Sequence, residues 1–212
     1  MKVEGNLRRY LADRSDPSGR YASFDYCYNY FQAHRETGVP VLREPPQLQI
    51  SCLHLGFFLA SWGMFRGSGK LLTRSARCFV PVIEAIVEAP TRVWDIDADC
   101  YTDEAVETIM AVYHSLGRVL PGGHSQTLVT KTMLGVFGCV PAFDTYVMRN
   151  PGMSTFGPRA LRRIRDFYQE HTAVIDANRA QTLDFDTGKP TDRRDSRAKV
   201  IDAALYIEGG GP

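Results

Sequence analysis

The stretch that decides the fold runs from Leu120 to Arg149, LPGGHSQTLVTKTMLGVFGCVPAFDTYVMR. It opens with Pro121-Gly122-Gly123, whose fixed and permissive backbone angles favour a sharp turn. Ser125 suits the N-cap of a following helix, in which apolar residues recur at helical spacing. A short break at Val140-Pro141 ends that helix. The stretch therefore predicts a turn, a helix and a bend in quick succession.

An acidic residue follows this bend. Asp144 directly precedes Thr145-Tyr146-Val147, where the free amides of a helix start would stabilise a carboxylate. A turn whose amides can hold a phosphate, with a carboxylate close behind, is suited to chemistry on a nucleic-acid backbone. The simpler interpretation is that Asp144 is an N-cap, worth about 1 kcal/mol of stability.

The same order of residues resembles the helix-hairpin-helix DNA glycosylase superfamily, the group that includes endonuclease III and the adenine glycosylases. The family pattern is L-P-G-x-G-x-K-T, a helix, a small apolar break, and V-D-T-H-V with an Arg two residues on. The matching positions, which need no gap, are Leu120, Pro121, Gly122, Thr127, Phe137, Gly138, Pro141, Asp144, Thr145, Val147 and Arg149. The resemblance covers this stretch alone.

Two residues take catalytic roles from this resemblance. In the family, the Asp that matches Asp144 stabilises the positive charge that builds on the sugar as the base departs. Gln126 stands where bifunctional members carry the lysine that forms a Schiff base, which implies a monofunctional enzyme that leaves an abasic site. Gln126 could orient a water or touch the nucleotide, or be an ordinary polar residue of a first helical turn. Lys131 is expected on a different face of the helix.

DNA contacts are expected on both sides of Asp144. The residues expected to bind DNA are Gly122, Gly123, His124, Ser125, Thr127, Arg149, Arg162 and Arg163. His124 replaces the second glycine of the family hairpin and could equally occupy a solvent-exposed turn. The arginines within 159–165 could follow a phosphate backbone or form a solvated helix face.

Aromatic residues could form a pocket for an everted base, because flipped bases are commonly held by stacking. The candidates are Tyr26, Tyr30 and Trp62. Aromatic residues at helical spacing more often belong to a core, and that alternative applies to all three. His54, on an apolar helix face, is expected to be a core histidine.

Composition restricts the class of protein. The 212 residues are 44% hydrophobic and 23% charged, as in an ordinary globular protein, and the net charge is +1. A DNA-binding surface would therefore have to be a local basic patch. Scattered cysteines without a Cys-x-x-Cys pair favour a reducing cytoplasm and argue against an iron–sulfur cluster; metal-ligand spacings are absent, so no cofactor is expected. The apolar run from Ile50 to Phe65 is too short to span a bilayer.

Helical spacing and capping signals predict a mostly helical chain with an apolar, central helix over 47–64. Only Trp94 to Asp97 could pass for a strand, and 183–192 is expected to be a loop. The resemblance adds an all-α, two-lobed helical fold with a helix-hairpin-helix element and a cleft between the lobes. Residues 1–212 would then form one unit, in which 40–140 make the central lobe with the hairpin and 1–39 plus 141–212 make the second lobe.

These observations predict a monofunctional DNA glycosylase, a hydrolase of N-glycosyl bonds that flips out and excises a damaged or modified base. Its role could be DNA repair or defence against modified phage DNA. The expected partner is double-stranded DNA with such a base, no membrane partner is expected, and the chain is expected to be a cytoplasmic monomer. The alternatives are a non-catalytic helix-hairpin-helix DNA-binding module and a helical protein-interaction domain.

Overall fold

A computed structural model of the chain describes residues 2–12, 14–66, 71–121 and 125–211. Within these ranges the chain is mostly helical, with eight α-helices and one small antiparallel sheet, which confirms the all-α class. The helices are α1 (Val3–Ala12), α2 (Ala22–Thr37), α3 (Gln47–Ser61), α4 (Val80–Val87), α5 (Asp103–Val119), α6 (Gln126–Phe137), α7 (Pro158–Ala177) and α8 (Arg197–Glu208). The strands are β1 (Gln181–Leu183) and β2 (Pro190–Arg194).

Capping side chains begin three of these helices, and the cap at Ser125 is the one predicted above. Ser125 accepts a hydrogen bond from the amide of Leu128 at the start of α6, Thr102 accepts one from Ala105 at the start of α5, and Ser196 accepts one from Lys199 at the start of α8. Pro81 lies in the first turn of α4, where the lack of an N–H costs no helical hydrogen bond. This proline therefore helps to start a helix and does not interrupt one.

The small sheet forms around residues 183–192, where the sequence predicted a loop. The stretch from Trp94 to Asp97, which could pass for a strand, does not form one. Residues 91–95 form a 3-10 helix, in which Trp94 is buried with its ring centroid 4.6 Å from that of Phe137. The side-chain amide of Asn29, on α2, donates to the carbonyl of Leu183 at 3.0 Å and accepts from Thr182 Oγ1 at 2.8 Å. The strands thus depend on contacts distant in sequence, which a local pattern does not reveal.

The central helix is α6, and the prediction that the helix of 47–64 is central was wrong. Residues 128–137 of α6 are all buried, and α2, α3 and α5 pack against it. On α3, Leu53 and Phe57 face solvent, with Phe57 70% exposed. Gly135 of α6 brings the two helices close, because a Cβ there would lie 2.4 Å from Cε1 of Phe58. Only one face of α3 is therefore buried.

The other deeply buried helix is α8, whose residues 198–207 are all buried and which packs against α1 and α7. Buried residues from both predicted lobes belong to one hydrophobic core. The division into two lobes with a cleft stays a prediction. The predicted hairpin residues Gly122, Gly123 and His124 lie outside the described residues.

Candidate functional site

Asp144 lies in the bend after α6, two residues before Tyr146, which is the N-cap position of a short 3-10 helix, Val147–Arg149. Its Oδ1 accepts hydrogen bonds from the amides of Tyr146 at 3.0 Å and Val147 at 3.1 Å. This is the amide contact that the sequence predicts for a carboxylate at a helix start. The side chain is 14% exposed, so Asp144 is neither sealed in the core nor on an open surface.

The backbone that carries Asp144 is fixed by side chains from two helices. The amide of Phe143 donates to Thr130 Oγ1 of α6 at 2.8 Å, and the amide of Ala142 donates to Asp202 Oδ1 of α8 at 2.9 Å. Thr127 Oγ1 also donates to the carbonyl of Phe143 at 2.7 Å. Because these contacts hold consecutive residues, the position of the Asp144 carboxylate is preorganised.

A buried lysine stands beside this carboxylate. Lys131 Nζ lies 3.6 Å from Asp144 Oδ2 and donates to the carbonyl of Trp62 at 3.3 Å. Lys131 lies on a different face of α6 from Gln126, as expected, and the bend after α6 brings Asp144 to the Lys131 face. Burial lowers the pKa of Lys131, although Asp144 and Asp202 act to raise it.

A second buried pair adjoins the first. Lys199 Nζ lies 3.2 Å from Asp202 Oδ2 and donates to the hydroxyl of Tyr10 at 2.7 Å. Burial acts to lower the pKa of Lys199, but Tyr10 and Asp202 outweigh it and raise that pKa above its ordinary value. Burial also raises the pKa of the Asp202 carboxyl. The two lysines and the two carboxylates thus lie close together and are largely shielded from solvent.

Aromatic side chains enclose these four charges in a single pocket, the Asp144 pocket. Its lining residues are Tyr10, Phe24, Phe58, Trp62, Lys131, Leu134, Ala142, Asp144, Lys199, Asp202 and Tyr206. The cavity is about 10 Å³, which is room for about one water molecule. At its edge the exposed Arg20 covers the Trp62 ring at 5.2 Å and donates to the Tyr206 hydroxyl at 3.0 Å.

Trp62 is the one predicted pocket aromatic that lies beside Asp144. Tyr26 donates to the carbonyl of Pro17 and packs on Phe185. Tyr30 forms a hydrogen bond with Ser51 and stacks on the half-buried His54, so it belongs to the interface between α2 and α3. Neither tyrosine lines the Asp144 pocket.

The sequence analysis did not assign Tyr10, Phe58 or Tyr206 to the pocket. They come from α1, α3 and α8, which are far apart in sequence. Phe58 and Trp62 are four residues apart at the end of α3, which is a helical face that could have been noticed. Nothing in the local pattern of Tyr10 or Tyr206 distinguishes them from core residues.

Gln126, the other predicted catalytic residue, does not line the Asp144 pocket. Its Oε1 accepts from the amide of Phe156 at 3.0 Å, and its Nε2 donates to the carbonyl of Ser154 at 3.2 Å. These bonds attach the start of α6 to the segment before α7. They are structural contacts, and they do not place Gln126 against a reacting nucleotide.

The predicted DNA-binding residues that the structure describes do not form one patch of free cations. Ser125 and Thr127 use their hydroxyls within the fold, as described above. Arg149, next to the Asp144 bend, is exposed, donates to the carbonyl of Gly209 at 2.9 Å and lies over the Tyr146 ring. Arg162 pairs with Asp103 at 3.1 Å on the surface, and Arg163 is exposed on α7. DNA binding by these residues stays a prediction.

In the part of the chain that the structure describes, no three His, Cys, Asp or Glu side chains group as metal ligands would. No helix in those ranges has the length and apolarity needed to cross a membrane. Comparison with protein-family models, curated protein sequences and solved structures gives no match for this chain.

Proposed function

We propose that this chain is a monofunctional DNA glycosylase that hydrolyses the N-glycosyl bond of a damaged or modified base. One observation carries the proposal. The bend that matches the glycosylase pattern presents the Asp144 carboxylate, held by two amides, at the edge of a pocket with aromatic walls. Aromatic walls suit a flipped base, and a fixed carboxylate suits the cationic sugar that base departure creates.

The two carboxylate oxygens of Asp144 have different roles. Oδ1 is occupied by the amides of Tyr146 and Val147, whereas Oδ2 has, among the residues that the structure describes, only Lys131 within 4 Å as an ion-pair partner. Oδ2 is thus the oxygen that would face the anomeric carbon and the attacking water. In a pocket with little water, a carboxylate fixed in this way stabilises positive charge strongly.

A base enters this pocket only if part of the wall moves. The cavity of about 10 Å³ is far smaller than a nucleobase. The backbone on the Asp144 side is held by Thr130 and Asp202, so the movable side is the exposed Arg20 with the Trp62 and Tyr206 rings that it contacts. Displacement of Arg20 would widen the opening of the pocket to solvent.

The test is an Asp144→Asn variant, incubated with duplexes that carry different lesions and modifications. Alkali and heat then convert each abasic site into a strand break. Asn keeps an oxygen for the two amides, so the fold is retained while the negative charge is lost. We expect base release to fall by about 10²- to 10³-fold, the usual cost of removing a fixed electrostatic stabiliser. Asp192→Asn, at an exposed position of β2, is the matched control.

Equal rates in Asp144→Asn and the wild-type protein would refute this assignment. A second candidate is a non-catalytic DNA-binding protein, and the nearly filled pocket is the observation that favours it. It would bind duplex DNA in a salt-dependent manner and give no breaks with any duplex in the panel.

A further inference from the structure

We propose that the Asp144 pocket accepts a neutral base with exposed carbonyl oxygens, and that Lys131 donates a proton to this base as it leaves. The inference rests on the proposed function and adds to it a class of substrate and a second catalytic residue. Three features of the pocket support it: its donors, the cations around Trp62, and the short distance between Lys131 and Asp144.

The pocket has donors that lack good acceptors. The indole N–H of Trp62 is buried and has no acceptor among the described residues. Lys131 has three N–H donors, of which one contacts the Trp62 carbonyl at a long 3.3 Å and one points to Asp144 across 3.6 Å. Because a buried donor without an acceptor costs free energy, a ligand that brings carbonyl oxygens or ring nitrogens would be favoured.

Three cations already surround the Trp62 ring. Arg20 Cζ, Lys131 Nζ and Lys199 Nζ lie 5.2, 5.3 and 5.5 Å from its centroid. A cationic base, such as an N-alkylated purine, would have to stack where these contacts use the attraction of the ring for positive charge. It would also meet like charges in a low dielectric, where repulsion is strong. A neutral base meets neither obstacle.

A neutral base also needs help to leave, which a cationic base does not. When the C1′–N bond breaks, its electron pair stays on the base and makes it an anion. The Lys131 ammonium can donate a proton to that anion, while a water adds its oxygen to C1′. The proton lost by this water passes to Asp144 and from it to the Lys131 amine, 3.6 Å away. The products are the neutral base and an abasic sugar, and Lys131 and Asp144 return to their starting states.

The first experiment compares neutral bases with a cationic base. Duplexes carry uracil, 5-hydroxymethylcytosine or 5-formylcytosine as neutral bases, and 7-methylguanine as a cationic base. We expect release of at least one neutral base and none of 7-methylguanine. Preferential release of 7-methylguanine would overturn the inference but leave the glycosylase assignment intact.

The second experiment tests Lys131 with a pair of neutral pyrimidines that differ in leaving ability, uracil and 5-fluorouracil. Lys131→Met keeps the length and removes the charge, and Lys189→Met, at an exposed position, is its control. We expect Lys131→Met to slow uracil release about 10²-fold or more, in the range of general acid catalysis, and to slow 5-fluorouracil release much less. Equal losses on both bases would mean that Lys131 is only structural and would overturn its catalytic role.

A binding measurement separates this inference from the proposed function. Duplexes with 2′-fluorinated sugars resist cleavage, so their affinities for the wild-type protein and for Lys131→Met can be compared directly. A preference for neutral bases that Lys131→Met abolishes supports the pocket assignment, even if no base is ever released and the glycosylase proposal fails. Tighter binding of the 7-methylguanine duplex overturns the pocket assignment. So does a preference for neutral bases that is unchanged in Lys131→Met.

Discussion

At the scale of single residues, Asp144 shows how a capping residue and a candidate catalytic residue can be the same side chain. Its Oδ1 satisfies the amides of Tyr146 and Val147, and its Oδ2 remains beside Lys131. The two interpretations of the sequence, an N-cap and a charge stabiliser, are therefore compatible. The cap fixes the carboxylate, and a fixed carboxylate is what electrostatic catalysis requires.

The Lys131 amine also raises the question of a covalent intermediate. We expect no protein–DNA adduct to be trapped by sodium borohydride during base release, because Lys131 is assigned to the departing base and Gln126 cannot form an imine. The measurement is gel electrophoresis of denatured reactions, with an endonuclease III-type bifunctional enzyme as the positive control. A trapped adduct that disappears in Lys131→Met would contradict the monofunctional assignment and make Lys131 the nucleophile.

At the scale of secondary-structure elements, a buried ion triad joins parts of the chain that are distant in sequence. Arg14, which follows α1, donates to Asp25 of α2 and to Asp195, between β2 and α8. Asp25 Oδ2 also accepts from the amide of Leu183 in β1. Two carboxylates share one guanidinium here, and burial raises the pKa of Asp25 to about 6.

This raised pKa predicts a pH dependence of stability. The folded state binds the Asp25 proton more tightly than the unfolded state, so the contribution of this proton to stability is complete below about pH 4 and is lost as pH rises through 6. We expect the unfolding free energy of the wild-type protein, minus that of Asp25→Asn, to fall by about 3 kcal/mol over this range. Urea titrations at several pH values measure it. A difference that rises with pH would show that the ion pair with Arg14 dominates.

The sequence predicts elements well where the signal is local and poorly where it is not. The cap at Ser125 and the bend before Asp144 follow from nearest neighbours, and the structure has them. The hairpin of β1 and β2 depends on Asn29, more than 150 positions away. The pocket likewise needs Tyr10 and Tyr206 from opposite ends of the chain, so its composition is a product of the fold and not of a motif.

At the scale of the whole molecule, Arg20 lies at the edge of the Asp144 pocket, where it contacts two of the lining residues. Arg20 is exposed and is attached by a cation–π contact to Trp62 and a hydrogen bond to Tyr206. Such contacts at a surface are weak, each worth about 1 kcal/mol. A DNA phosphate could attract this arginine away from the pocket as the duplex binds.

We therefore expect Arg20→Ala to increase acrylamide quenching of tryptophan fluorescence. Trp94 is 4% exposed, so the change in the accessible fraction reports mainly on Trp62. Arg8→Ala, which removes a surface arginine paired with Glu4, is the control. Unchanged quenching in Arg20→Ala would show that Arg20 does not shield the pocket.

The pinned backbone at Ala142 and Phe143 has a consequence for how such a protein could acquire a new substrate. One side of the pocket is rigid, since each of these amides is bound by a side chain from a different helix. The opposite side is made of rings and a surface arginine that can be exchanged without disturbing those bonds. Laboratory evolution toward another base should therefore accumulate changes at Arg20, Trp62 and Tyr206 and leave 142–144 untouched.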